Sequence, residues 1–262
     1  MHINLIAEDI DEKEYLLNKL KTDNLNIEIK NDDELNFLLE VLAKYIIEEK
    51  EIKIIDKILS RDYFYFTKSE KKMIEDKCIQ ILKSENIKEN SKKELLKLLL
   101  LEYINENQEL NIKGFITFRI KSYIEILEYV VEIAIEKFVL EKEYKELVGV
   151  LKEYIKSESP KIKIIHLVYD GEKLSILNNK FEELNIQGRI RYLSDFGMIN
   201  NNNILNILLD VLPQKIIIHN NSLKEDTFLN TIENIFSDRV EHCSKCEKNA
   251  KEKNYKYCFL NK

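Results

Sequence analysis

The scarcity of glycine and proline is the feature that most limits what this chain can fold into. Only 5 Gly and 2 Pro occur among 262 residues. Because these two residues punctuate turns and strands, their scarcity favours long uninterrupted helices over many short strands. The hydrophobic fraction of 44% is ordinary for a globular protein, so the chain can bury a sizeable core.

Charge and cysteine usage indicate the cellular compartment and disfavour one class of partner. The net charge is −6, and Lys is interleaved with Glu almost everywhere. Nucleic acid is therefore disfavoured as the main partner, because phosphate neutralisation needs clustered positive charge. No window approaches the roughly 20 uncharged apolar residues of a membrane span, and the N-terminus lacks a secretory pattern. With four Cys, three of them near the C-terminus, the composition predicts a cytoplasmic protein rather than a secreted disulfide scaffold.

The sequence patterns divide the chain into four segments. Residues 1–30 show strand, helix and strand patterns and predict a small β-α-β unit. Residues 31–159 carry apolar residues at helical spacing and predict a long helical body, which ends at Pro160 because proline cannot continue a helix. Residues 160–242 predict a small α/β segment, and residues 243–262 form a Cys-containing tail. The predicted fold class is α+β, mostly α-helical.

Local signals mark the helices of the predicted body. Asn31 and Thr67 are each followed three residues later by Glu, which predicts a capping box at each position. The aromatic run Tyr63–Phe66 between them is interpreted as bulky filler at a helix–helix junction. From residue 115 to residue 157 the only Gly is Gly149 and there is no Pro, which favours an unusually long helical stretch.

Beyond the helical body the pattern changes to strands alternating with helices. Residues 161–169 are rich in β-branched side chains and precede the turn signal Asp170-Gly171, so residues 173–177 are the predicted hairpin partner. Residues 215–219 predict a buried strand, with a helix on either side of it.

Two histidines of the predicted α/β segment are candidates for chemistry. His166 shares strand parity with Ile164 and is expected to face apolar surroundings. His219 ends its strand, at the edge where open α/β sheets bind ligands. A structural role is favoured for each, and the alternative is a ligand sensor or enzyme with its site in this segment.

The C-terminal tail carries the sharpest chemical signal. Cys243 and Cys246 form a Cys-x-x-Cys motif, which places two thiolates on one tight turn where both can reach a tetrahedral Zn²⁺. Cys258 is a candidate third metal ligand and His242 a candidate fourth. The same motif is compatible with thiol redox chemistry at a helix N-terminus. A third alternative is a thiol pair with neither role at a chain terminus.

Motifs of common enzyme classes are missing from the sequence. The chain contains no Gly-x-Ser-x-Gly, no phosphate-binding Walker loop, no Gly-x-Gly-x-x-Gly and no His-Glu-x-x-His. The sequence therefore favours a non-enzymatic scaffold or interaction factor that works through protein partners.

Six sequence blocks are spread over most of the chain: YFYFTKSE (Tyr63–Glu70), FITFRIKSY (Phe115–Tyr123), EKEYKELVGVLKEYI (Glu141–Ile155), PKIKIIHLVY (Pro160–Tyr169), PQKIIIH (Pro213–His219) and RVEHCSKC (Arg239–Cys246). In these blocks the chain resembles the YtxC-like sporulation proteins of endospore-forming Firmicutes. The resemblance implies a role in sporulation, or expression during it, and brings no catalytic residues to carry over.

Overall fold

The computed structural model describes residues 1–84, 89–169, 174–182, 184, 202–220 and 227–243. The chain divides into two compact units, the first ending at Lys142 and the second beginning at Glu143. Helices dominate and are combined with small sheets, so the predicted α+β, mostly helical fold class is confirmed. The four segment boundaries drawn from the sequence stay a prediction.

The first unit contains a small sheet and most of the described helices. Its strands are β1 (His2–Ile6), β2 (Asn26–Glu28) and β3 (Glu109–Asn111). Its helices are α1 (Ile10–Leu20), α2 (Asp32–Tyr45), α3 (Glu51–Asp62), α4 (Lys68–Lys83), α5 (Glu89–Glu106), α6 (Ile112–Phe118) and the first part of α7 (Lys121–Ser157).

The second unit begins within α7 and contains an α/β arrangement. Its elements are β4 (Ile162–Tyr169), β5 (Leu174–Leu177), α8 (Asn202–Val211), β6 (Pro213–Asn220), α9 (Thr227–Phe236) and β7 (Val240–His242). Within the described residues, no helix combines the length and the apolar character that a membrane crossing requires.

The N-terminal sheet has the strand order β2-β1-β3. Strand β1 pairs antiparallel with β2, with His2 opposite Glu28, and parallel with β3, with Asn4 opposite Glu109. The strand, helix and strand of the predicted N-terminal unit are therefore present. The sequence did not predict β3, because three residues are too few to show strand alternation.

The capping signals of the sequence are found at the helix starts. Asn31 Oδ1 accepts the backbone N–H of Glu34 at 2.9 Å, and the Glu34 carboxylate accepts the N–H of Lys30 at 2.8 Å. Thr67 Oγ1 accepts the N–H of Glu70 at 3.3 Å, and the Glu70 carboxylate accepts the N–H of Thr67 at 2.9 Å. The Thr67 pair is therefore a complete capping box, whereas at Asn31 the Glu34 carboxylate accepts the N–H of the preceding residue, Lys30, instead of that of Asn31.

A π-helical turn, Ile46–Lys50, joins α2 to α3. The chain remains helical from α2 through this turn into α3, within the predicted helical body. Glu51, the first residue after this turn, is buried, with 6% of the residue exposed.

Gly149 provides a direct test of the solvent-exposed interior of α7. No heavy atom of the described residues outside the helix's own backbone lies within 4 Å of a Cβ added there. Since glycine is the poorer helix former, we expect Gly149→Ala to raise the free energy of unfolding by about 0.5–1 kcal/mol in urea titrations. The matched variant is Gly114→Ala, whose Cβ would lie 3.3 Å from the capping oxygen of Asn111 and should gain less. A loss of stability in Gly149→Ala would contradict the described packing.

The C-terminal sheet has the strand order β5-β4-β6-β7. Strands β4, β6 and β7 are parallel neighbours, whereas β5 pairs antiparallel with β4, as the hairpin prediction required. The predicted turn at Asp170-Gly171 lies outside the described residues. One face of this sheet packs into the core of the second unit with α8 and α9, through buried side chains that include Ile165, Leu167, Ile216, Ile218, Leu208 and Ile232.

Candidate functional site

Side chains of α4 and α7 line a groove in the first unit. It encloses about 610 Å³, within the range of sites that bind small ligands or side chains. Ile81 of α4 and Ile133 of α7 supply apolar surface, and Tyr129 is 60% exposed. Ser84 adds a hydroxyl group to the lining. The groove therefore combines apolar and polar surface.

The groove is lined by two lysines and one glutamate, so positive charge is in excess. Lys77 of α4 forms an ion pair with Glu141 of α7. Lys137 also lines the groove, and no acidic side chain of the described residues lies within ion-pair distance of its ammonium group. The groove thus presents an uncompensated positive charge beside apolar surface, which is suited to a carboxylate or phosphate next to an apolar group.

A pair of histidines marks the second unit. His166 Nδ1 of β4 lies 2.9 Å from His219 Nε2 of β6, and both residues are buried. The two ring centroids are 5.1 Å apart, so the nitrogens lie between the rings and face each other, as in a hydrogen bond between neutral imidazoles. The ring of Phe181 packs on His166 with centroids 4.5 Å apart.

The environment of His219 disfavours its protonated form. Burial is the main cause, and the neighbouring His166 adds to it, so the pKa of His219 falls from the ordinary 6.5 to about 4. His166 shares its parity with Ile164 as expected, but it lies on the face opposite Ile165 and Leu167 of the core. On that face His166 contacts the ring of Phe181 and the imidazole of His219.

The residues proposed from sequence as metal ligands are only partly described. His242 Nε2 lies 2.8 Å from Glu233 Oε1 of α9. The backbone N–H of Cys243 donates to the carbonyl of Ile218 at 2.9 Å. Cys246 and Cys258 lie outside the described residues. Within the part of the chain that the structure describes, no three His, Cys, Asp or Glu side chains are grouped to hold a metal ion.

The aromatic run Tyr63–Phe66 is divided between core and surface. Phe66 packs edge-to-face on Phe138 of α7, with centroids 5.7 Å apart. Phe64 and Tyr65 are 76% and 63% exposed, so only part of the run acts as the predicted filler.

Sequence reasoning missed a buried ionic cluster in the first unit. Lys92 Nζ lies 2.9 Å from Glu51 Oε1, and both side chains are less than 10% exposed. Tyr123, fully buried, donates its hydroxyl to the same Glu51 oxygen. Burial, followed by the nearby Glu51 carboxylate, raises the pKa of Tyr123. The cluster ties α3, α5 and α7 together and is closed to solvent, which assigns it to the core rather than to a binding site.

These features define an α+β protein with a grooved helical unit and an α/β unit that carries a histidine pair on its sheet. The chain belongs to the YtxC-like family, which its residues 36–241 match. It is similar to the uncharacterized protein YtxC of Bacillus subtilis strain 168, with 26% identity over 216 residues. That match covers 78% of this chain and 75% of the relative. No solved structure matches the chain.

Proposed function

We propose that this protein is a non-enzymatic interaction factor of sporulation and that the α4–α7 groove is its contact with a protein partner. The sporulation role rests on the family membership together with the resemblance of the sequence blocks to sporulation proteins. The observation that carries the contact is the groove, where Lys137, which has no acidic partner among the described residues, lines the same surface as Tyr129 and Ile133.

The chemistry of the groove specifies the partner. An apolar groove between neighbouring helices is the kind of surface on which an amphipathic helix docks. Exposed tyrosines are typical anchors of protein interfaces, because the ring buries apolar area while the hydroxyl remains hydrogen-bonded. The partner is therefore a protein segment that inserts an apolar side chain and places a carboxylate next to Lys137.

The test is genetic and uses matched variants in the endospore-forming host. We expect deletion of the gene to reduce the number of heat-resistant spores and the wild-type gene to restore it. A Tyr129→Ala, Lys137→Glu double variant should fail to restore it, because the anchor and the attractive charge are both lost. The control is Lys121→Glu, whose side chain is 89% exposed and lies on the same helix outside the groove.

Two outcomes would contradict this function. A deletion strain that forms as many heat-resistant spores as its parent would remove the sporulation role. Full rescue by the double variant, expressed at the wild-type level, would remove the groove as the contact surface. Thermal unfolding of the purified variants separates a lost contact from a lost fold.

A second candidate function is zinc- or thiol-dependent and uses Cys243, Cys246 and Cys258, with His242 as the fourth ligand in the sequence prediction. The supporting observation is the anchoring of Cys243 to β6, which gives the Cys-x-x-Cys motif a fixed start at the carboxyl end of a parallel strand. Metal analysis of anaerobically purified protein tests this candidate, and protein without zinc and without reactive thiols would exclude it.

A further inference from the structure

A glycine lies on the exposed face of α7 in the second unit. Gly149 is in the interior of this 37-residue helix, and no heavy atom of the described residues outside the helix's own backbone lies within 4 Å of a Cβ added there. Glycine is the poorest helix former after proline, so it weakens the helix at this point. No close contact within the described chain requires it. A glycine on a helix surface does allow a second helix to approach closely.

Four charged side chains surround this glycine: Lys145, Glu146, Lys152 and Glu153. They stand three and four positions before and after Gly149, and residues at those spacings are neighbours on the surface of an α-helix. Three of the four are exposed, and Lys152 is partly exposed. Within the part of the chain that the structure describes, none of the four forms an ion pair. Both signs of charge on this face are therefore available to a partner.

The two signs of charge lie on opposite sides of the glycine. With 3.6 residues per turn, successive residues are rotated by about 100°, so Glu146 and Glu153 fall about 40–60° to one side of Gly149. By the same geometry, Lys145 and Lys152 fall about 40–60° to its other side. The face therefore has an acidic edge and a basic edge, with the glycine between them.

A second copy of the same helix complements this face when it runs parallel and in register. A twofold axis along the pair turns the basic edge of one helix towards the acidic edge of the other. Lys145 of one copy then faces Glu146 of the other. Lys152 faces Glu153 in the same way, and symmetry makes each contact occur twice. An antiparallel pair would instead bring glutamate next to glutamate and lysine next to lysine. Val150, which is 66% exposed and borders the acidic edge, would be covered by lysine stems of the second copy.

We infer that two copies of this chain associate through α7, as a parallel helix pair that is closest at Gly149. The charge pattern of the face is complementary to itself, which favours a second copy over an unrelated protein. None of the residues concerned lines the α4–α7 groove, so the inference does not depend on the function proposed for that groove. Exposed ion pairs contribute little each and are screened by salt. The association is therefore weak, and it weakens further as the ionic strength rises.

Sedimentation equilibrium of the full-length protein tests this pair, at low salt with a reducing agent and a chelator, which exclude disulfide and metal links. We expect the wild type to form dimers as its concentration rises. Lys145→Glu should weaken the dimer at least about tenfold, because it places a carboxylate against Glu146 of the other copy. Gly149→Leu should abolish the dimer through the bulk that it adds at the crossing point. Lys121→Glu makes the same charge change on the same helix, at a side chain that is 89% exposed, and should dimerise like the wild type.

Exchanging the charges provides the strictest check. Lys145→Glu combined with Glu146→Lys reverses both edges at this turn and should restore the dimer. An equimolar mixture of the two single variants should form heterodimers, since every opposed pair in them is again of opposite sign. A wild type that stays monomeric at every concentration, or a Lys145→Glu variant that dimerises as tightly as the wild type, would overturn the inference. Circular dichroism shows whether each variant is folded, and the exposed charge variants decide the question if Gly149→Leu is not.

Discussion

Replacing Lys92 with Met is expected to lower the free energy of unfolding by about 3–5 kcal/mol. The substitution keeps most of the side-chain volume but removes the ammonium group that lies 2.9 Å from Glu51 Oε1. The Glu51 carboxylate would then remain in the core with only the hydroxyl of Tyr123 as a described partner. Breaking one side of a buried ion pair is costly because the remaining charge is desolvated without compensation. Urea unfolding followed by circular dichroism measures the loss.

Two further variants show whether the uncompensated charge is the cause. Glu51→Gln combined with Lys92→Met leaves a neutral acceptor for Tyr123 and should recover most of the loss. Lys121→Met removes a lysine whose side chain is 89% exposed and should change stability by less than about 0.5 kcal/mol. If Lys92→Met lost as little as Lys121→Met, the pair would not be buried in solution.

Acid is expected to destabilise the second unit through His219. The pKa of His219 is about 4 in the folded chain and 6.5 in the unfolded chain, so the unfolded chain binds the extra proton first. The resulting contribution to stability, roughly 3 kcal/mol, is complete above pH 6.5 and is lost as the pH falls from 6.5 to 4. Denaturant titrations at a series of pH values in the presence of a chelator measure this loss.

The control for this acid effect is a pair of histidine replacements. His219→Gln removes the titrating group, so its stability should fall less steeply than that of the wild type between pH 6.5 and 4. His242→Gln changes a side chain that is 52% exposed and should retain the wild-type slope. Equal slopes in all three proteins would show that His219 is not held neutral by its surroundings.

Local signals were sufficient for most of the fold. The capping pairs at Asn31 and Thr67, and the strand and helix patterns beyond Pro160, depend on contacts within a few residues, and the structure contains them. The strand β3 and the π-helical turn were not predicted. Strand β3 is defined by its distant partner β1, and the π-helical turn keeps the helical pattern of its neighbours.

The candidate site was less accessible to sequence reasoning. His166 and His219 lie 53 positions apart, and their contact depends on the register of two parallel strands, which local patterns do not fix. The available signals were the parity of His166 within its strand and the position of His219 at the end of its strand. Lys92 gave no signal, because it is one of many lysines in a chain with 41 Lys and Arg residues.

The short strand β3 also constrains the order of events during synthesis. Strand β1 finds its antiparallel partner β2 within the first 28 residues, but its parallel partner lies 105 positions further along. Closing so long a loop costs chain entropy, and the contacts between β1 and β3 compensate for it only after both strands have been synthesised. Until Asn111 has left the ribosome, β1 is therefore paired along one edge only, with β2. We infer that the first unit completes its sheet late, after most of its helices have left the exit tunnel.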